Sequence, residues 1–274
     1  MKRNTKFMNT HETKFQRLWK TKNKNDEWWS SFVTSPIAIL INMVVVDWAW
    51  LTPNKVTLFS LITGLTASGC IVIGGHTPFV MAAFLINISH ILDCMDGQMA
   101  TYRGVSSRFG NYFDKVSDQI LIFFWFSAVA YAGYQENHEV MPVFLAFTGV
   151  AFYSLRVYVK YVTIFIEVEN DKEYLEKSFA EATLIREESE QQAGPGTGLI
   201  KNCLWFLREQ RKFFLFNEAV FVFMISVALL FDQICPMLWI FAVSQIYFGI
   251  IRTWQRGRQI YLGQHQELLK PMEK

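Results

Sequence analysis

The chain has 274 residues, 51% of them hydrophobic and only 18% charged, with 25 Phe and 9 Trp. That balance excludes an ordinary water-soluble fold of one or two domains and points into the membrane. A net charge of +2 carries no nucleic-acid signal, so no nucleic-acid partner is expected. The four cysteines, Cys70, Cys94, Cys203 and Cys235, form no CxxC pair and read as small apolar fillers.

Residues 1–24 carry eight Lys or Arg against one acid, Glu12, and read as a solvated tail with an attraction to anionic lipid. They lack an apolar core, so no cleavable signal peptide is expected. From Asp26, DEWWSSFVTSPIAILINMVVVDW surrounds a short apolar core with Trp28, Trp29 and Trp48. That core is too short to span a bilayer, and an interfacial helix lying on the membrane is the better reading.

Six spans follow, at about 55–74, 77–101, 107–133, 139–166, 213–232 and 236–256. The loops at 74–77, 134–139 and 232–236 contain no Lys or Arg. The opposite side carries the basic N-terminus, Arg103, Arg108, the 169–212 segment, Arg252, Arg256 and Arg258. The positive-inside rule therefore puts both termini in the cytoplasm. Residues 169–193 predict a cytosolic amphipathic helix, with Leu175, Phe179, Ala182 and Ile185 at helical spacing. The glycines of 193–198 that follow are a linker, since no Gly-Lys-Ser/Thr and no strand makes them a phosphate loop.

Four carboxylates interrupt this apolar pattern. Asp93 and Asp96 close the second span, and Asp114 and Asp118 open the third. Spacings of three and four put each pair on one helix face. Arg103, Gly104, Ser106 and Ser107 supply the bend between them. Ionisable groups at membrane depth are costly and face a wet cavity or a partner. Four acids without a matching set of cations need an external positive charge. An all-oxygen donor set suits Mg²⁺ or Mn²⁺ and not zinc.

The stretch from Asp93 to Asp118 resembles the signature of the CDP-alcohol phosphotransferase family: D-x-x-D-G-x-x-A-R, eight residues, G-x-x-x-D-x-x-x-D. Asp93, Asp96, Gly97, Ala100, Gly110, Asp114 and Asp118 fall at the signature's spacings, while its arginine is Thr101 here. The likeness runs over roughly 50–265 and includes Thr52-Pro53-Asn54-Lys55-Val56-Thr57, similar to the stretch that opens the family's first membrane helix. The resemblance implies two divalent ions held by Asp93, Asp96, Asp114 and Asp118, with Asp118 also the base for an acceptor hydroxyl. It implies a CDP-alcohol site at Asn54, Gly97, Ala100, Thr101 and Gly110, and a homodimer. Thr101 cannot supply the arginine's charge. Arg103 or Arg108 is the substitute to expect, although Arg103 stands about 200° round an ideal helix from position 101.

Depth adds a second group. By helical rise Asp93 lies roughly 24 Å from the outer end of its span, and Arg156 stands at nearly the same level in the fourth. Lys160 is one turn below Arg156, on the same face. Two cations at the depth of the carboxylates suggest a bound anion, and they are candidate acceptor-binding residues. His90, three residues before Asp93, is more simply a packing residue.

The expected protein is an all-α polytopic membrane enzyme, six transmembrane helices preceded by an interfacial amphipathic helix, with its active site on the cytoplasmic side. Residues 1–50 form the basic tail and interfacial helix, 51–265 the phosphotransferase domain with a cytoplasmic insertion at 169–212, and 266–274 a tail. The expected reaction moves a phosphatidyl group from a CDP-alcohol, CDP-diacylglycerol, to a hydroxyl acceptor with release of CMP, in phospholipid biosynthesis. Head-group transfer from a small CDP-alcohol to a lipid alcohol is an alternative within the class. A divalent-cation transporter is the alternative outside it, disfavoured by the nearly uncharged outer halves of the spans.

Overall fold

The computed structural model describes residues 13–22, 27–180, 183, 199–209, 213–214 and 217–268. Every regular element among them is helical: α1 Lys14–Trp19, α2 Ser35–Val45, α3 Pro53–Ile73, α4 His76–Arg103, α5 Arg108–Asn137, α6 Met141–Asn170, α7 Leu199–Glu209, α8 Glu218–Leu230 and α9 Ile234–Leu268. A π-helical turn, Ser30–Thr34, runs directly into α2.

Five of these helices, α3, α4, α5, α6 and α9, are long and apolar enough to cross a membrane. The segment expected to be the fifth span is shorter than the sequence suggested. Its helix, α8, has 13 residues and begins at Glu218 after an extended Asn217. At about 1.5 Å per residue it covers roughly 20 Å, short of a hydrocarbon core of about 30 Å. It is apolar all round because it is enclosed by protein, with Phe221, Val222, Ile225, Ala228 and Leu229 in the core and Ala219 and Val220 buried as well.

The interfacial reading of the early segment fits α2, whose Ile37, Leu40, Ile41 and Val44 leave an exposed apolar face. Its other face is tied to α4: Asn42 Nδ2 donates to Met95 O at 3.0 Å, and Gln98 Nε2 donates to Ser35 O at 3.1 Å. The predicted helix at 169–193 is seen over 174–180, and most of the remainder lies outside the described residues.

Small residues bring α3, α4 and α5 close, as is usual where lipid gives helices little hydrophobic reason to associate. Ser60 and Ser89 exchange bonds, Ser60 Oγ to Ser89 O at 2.8 Å and Ser89 Oγ to Ser60 O at 2.9 Å. A Cβ on Gly64 would stand 2.4 Å from Leu121, and Trp125 Nε1 donates to Gly64 O at 2.9 Å. This three-helix contact fixes the end of α4 against the start of α5.

Candidate active site

Between α4 and α5 the chain turns within four residues. Gly104 adopts φ 63°, the left-handed conformation that suits a helix C-terminus, and Val105 N bonds back to Ala100 O at 3.0 Å. Ser107 then caps α5, its Oγ accepting from Gly110 N at 2.9 Å. The reversal turns the carboxylates of the two helices toward each other.

Asp93, Asp114 and Asp118 each place a carboxylate oxygen within 4.8 Å of the other two. Asp96 stands apart from this trio. Three residues on from Asp93, it is rotated about 60° round the helix toward α3, where it is 6% exposed and accepts the Thr57 hydroxyl. Lys115, between the two aspartates of α5, bridges them, with Nζ 2.9 Å from Asp114 Oδ2 and 3.0 Å from Asp118 Oδ2.

Asp93, Asp96, Asp114 and Lys115 border a cavity of about 530 Å³, whose lining also includes His90, Gly97 and Thr101. A Cβ on Gly97 would meet nothing within 4 Å, so this glycine leaves the wall open to a ligand. His90 is buried with no hydrogen-bond partner for its Nδ1. The N-terminal segment supplies the opposite wall with Thr21, Glu27, Ser30 and Ser35, a role not foreseen for a helix read only as interfacial. The π-helical turn that presents Ser30 is a feature often found beside functional sites.

A second cavity of about 520 Å³ brings the expected pair Arg156 and Lys160 together with Tyr153, Asn217, Arg252 and Arg256. Arg156 Nη1 also donates to Gln245 Oε1 at 2.6 Å. Glu27 lines both cavities and accepts the Ala219 N–H at 2.8 Å. Arg252 and Arg256, whose spacing of four puts them on one helix face, join Arg156 and Lys160 in the lining.

Four of the expected donor residues, Asn54, Ala100, Arg103 and Gly110, sit outside the first cavity's lining. Asn54 meets Gly110, where a Cβ would lie 3.0 Å from Asn54 Oδ1, a tight fit between α3 and α5. Ala100 serves the turn through its carbonyl. Arg103 is engaged elsewhere: its Nε, Nη1 and Nη2 donate to Val46 O at 2.7 Å, Leu51 O at 2.6 Å and Trp48 O at 3.0 Å. The guanidinium satisfies carbonyls freed where α2 ends, on the side of α4 away from Thr101.

The chemistry of the trio fits a hard divalent ion, because its donors are all carboxylate oxygens in mutual reach. Among the described residues no His or Cys joins that group.

A bundle of membrane-length helices enclosing a carboxylate-lined cavity beside a cation-lined one defines an integral membrane protein built to handle a charged ligand. The family model for CDP-alcohol phosphatidyltransferase matches residues 50–186, and the chain belongs to that family of transferases. It is 34% identical over 96 residues to a CDP-diacylglycerol–serine O-phosphatidyltransferase of Helicobacter pylori (strain ATCC 700392 / 26695), an alignment covering 34% of this chain and 39% of that relative. Its fold is similar to that of the phosphatidylinositol phosphate synthase of Mycobacterium tuberculosis solved with CDP-DAG bound, with a TM-score of 0.52 and 15% identity over 82% of this chain and 93% of that one.

Proposed function

We propose that this enzyme transfers a phosphatidyl group from CDP-diacylglycerol to the hydroxyl of an anionic acceptor, releasing CMP, on the cytoplasmic side of the membrane. One observation carries the reading: a trio of carboxylates from α4 and α5, two of which line a cavity, lies beside a second cavity that also borders Glu27 and carries four cationic side chains. The named activity of the Helicobacter relative and the CDP-DAG bound to the structural neighbour support the choice of donor.

Asp93, Asp114 and Asp118, with Asp96 beside them, would hold Mg²⁺ or Mn²⁺. Such ions, when bound, neutralise the pyrophosphate and stabilise the charge on the departing CMP. The chain's own residues do the rest. Gly97 lets the nucleotide lie against the backbone of α4. Arg156, Lys160, Arg252 and Arg256 bind a phosphate or carboxylate on the acceptor, which orients its hydroxyl toward the carboxylates. Asp118 accepts that hydroxyl's proton as the oxygen attacks the lipid-bearing phosphorus. A new P–O bond forms there, the P–O bond to CMP breaks, and CMP leaves with the electron pair.

The deciding experiment incubates purified protein with labelled CDP-diacylglycerol and a panel of acceptors, scoring CMP release and lipid product. Release that needs a phosphorylated or carboxylated alcohol supports the reading. Turnover of CDP-choline or CDP-ethanolamine with diacylglycerol instead would establish head-group transfer.

A further inference from the structure

The first cavity is short of positive charge for a pyrophosphate donor. Glu27, Asp93, Asp96 and Asp114 are among its lining residues, and among the described residues Lys115 is the one Lys or Arg there. Thr101 brings no charge, and its hydroxyl donates to Gly97 O at 2.9 Å. Arg103, two residues on, has its guanidinium on the carbonyls of Val46, Trp48 and Leu51. Neither Thr101 nor Arg103 as it stands brings a positive charge to a donor phosphate.

Lys115 can. It reaches the cavity from α5, across from Thr101 on α4, and its side chain is 67% exposed although its ammonium holds Asp114 and Asp118. Lysine is a compact charge on a flexible four-carbon stem with three donors, a usual partner for phosphate. Its present partners are oxygens of the same carboxylates assigned above to a divalent ion, and an ammonium relieved of them still borders an otherwise acidic cavity.

We propose that Lys115 is the protein's cationic contact to the donor phosphates, supplying from α5 the charge that Thr101 omits from α4. The proposal rests on the phosphatidyl-transfer reading.

The test measures CMP and CDP-diacylglycerol binding to the full-length protein in detergent with Mn²⁺ and no acceptor, so that no turnover occurs. Mn²⁺ binding is followed separately by electron paramagnetic resonance. Lys115→Met is expected to weaken nucleotide binding about 10- to 100-fold, the value of one charge-assisted hydrogen bond, and to leave Mn²⁺ affinity undiminished. Lys115→Arg should stay within about threefold of the parent, since it keeps the charge. Adding Thr101→Arg to Lys115→Met should restore nucleotide affinity, because it returns the charge from the other helix. Unchanged nucleotide binding in Lys115→Met overturns the proposal. A parallel loss of Mn²⁺ affinity, or failure of Thr101→Arg to restore binding, overturns it in favour of a lysine that only shapes the ion site. If the parent protein binds no cytidine nucleotide, the donor reading itself fails, and the Lys115 role falls with it.

Discussion

Thr57 of α3 donates its hydroxyl to the carboxylate of Asp96 on α4, inside the helix packing and beside the close trio of Asp93, Asp114 and Asp118. A buried carboxylate that loses its donor carries the full desolvation cost of the missing bond, about 1–3 kcal/mol. Thr57→Val keeps the shape and removes the hydroxyl. It should lower thermal stability in detergent and, by freeing the Asp96 side chain, weaken divalent-ion binding about 10- to 100-fold, the usual effect of a residue that orients a ligand. Thr57→Ser should retain both. Parallel Mn²⁺ titrations of the three proteins check it, and equal affinity in Thr57→Val would leave Asp96 as a structural acid.

Arg103 offers the opposite expectation. Its three carbonyl contacts tie the end of α4 to the 46–51 connection, so its loss should be felt in stability. Arg103→Met should lower the unfolding midpoint, by about 1–3 kcal/mol in stability after allowance for its partial exposure. Donor affinity in the fraction that remains folded should stay within about threefold, whereas Lys115→Met should show the reverse pattern. A thermal melt and a nucleotide titration on the same preparation separate the two.

Much of the site was legible because the local chemistry was. The bend after Arg103 and the facing of Asp93, Asp114 and Asp118 depend on a few adjacent residues, and the structure forms both, while Asp96 turns toward Thr57. Arg156 and Lys160 share a cavity as their spacing and depth suggested. What failed depended on distant partners. Arg103 looked available because nothing nearby in the chain pairs with it, yet its carbonyls lie more than fifty residues upstream. The shortness of α8 was hidden because hydropathy cannot distinguish a helix surrounded by lipid from one surrounded by protein. Glu27 could not be assigned to a cavity wall without the fold that places it beside Ala219.

The basic residues predict a cytoplasmic active site, which labelling in sealed right-side-out cells can check. Gln135→Cys lies near the end of α5 remote from the aspartates and should react with an impermeant maleimide. It is a better probe than Gly75, whose φ of 86° strains any side chain placed there. Cys203, exposed on α7, should stay unlabelled until the cells are opened. Labelling of Cys203 from outside would reverse the orientation.

The carboxylate trio gathers three oxygen donors in mutual reach, and Lys115 is shared between two of its members. CMP release should therefore stop in excess chelator and return with Mg²⁺ or Mn²⁺, while Ca²⁺, with longer and looser oxygen coordination, should serve poorly. Asp93→Asn should abolish both turnover and Mn²⁺ binding. Full turnover in chelator would remove the ion from the mechanism.

Asp118 tests how the roles divide within the trio. It stands one turn beyond Asp114 on α5, about 6 Å further along the helix axis, in reach of both Asp93 and Lys115. That position allows it to touch the ion site and to receive the acceptor's proton. Asp118→Asn keeps the size and one oxygen but removes the basicity. CDP-diacylglycerol binding should stay near normal while turnover falls about 10²-fold or more, the usual contribution of a general base. Binding and initial rate must be read on one preparation, because a common loss of folded protein would lower both. If they fall by the same factor per folded molecule, Asp118 acts chiefly as an ion ligand. The base must then be sought among the other groups lining the cavity. His90 comes first, buried there with an Nδ1 that has no hydrogen-bond partner. His90→Gln should then carry the rate loss that Asp118→Asn was expected to show, with donor binding intact.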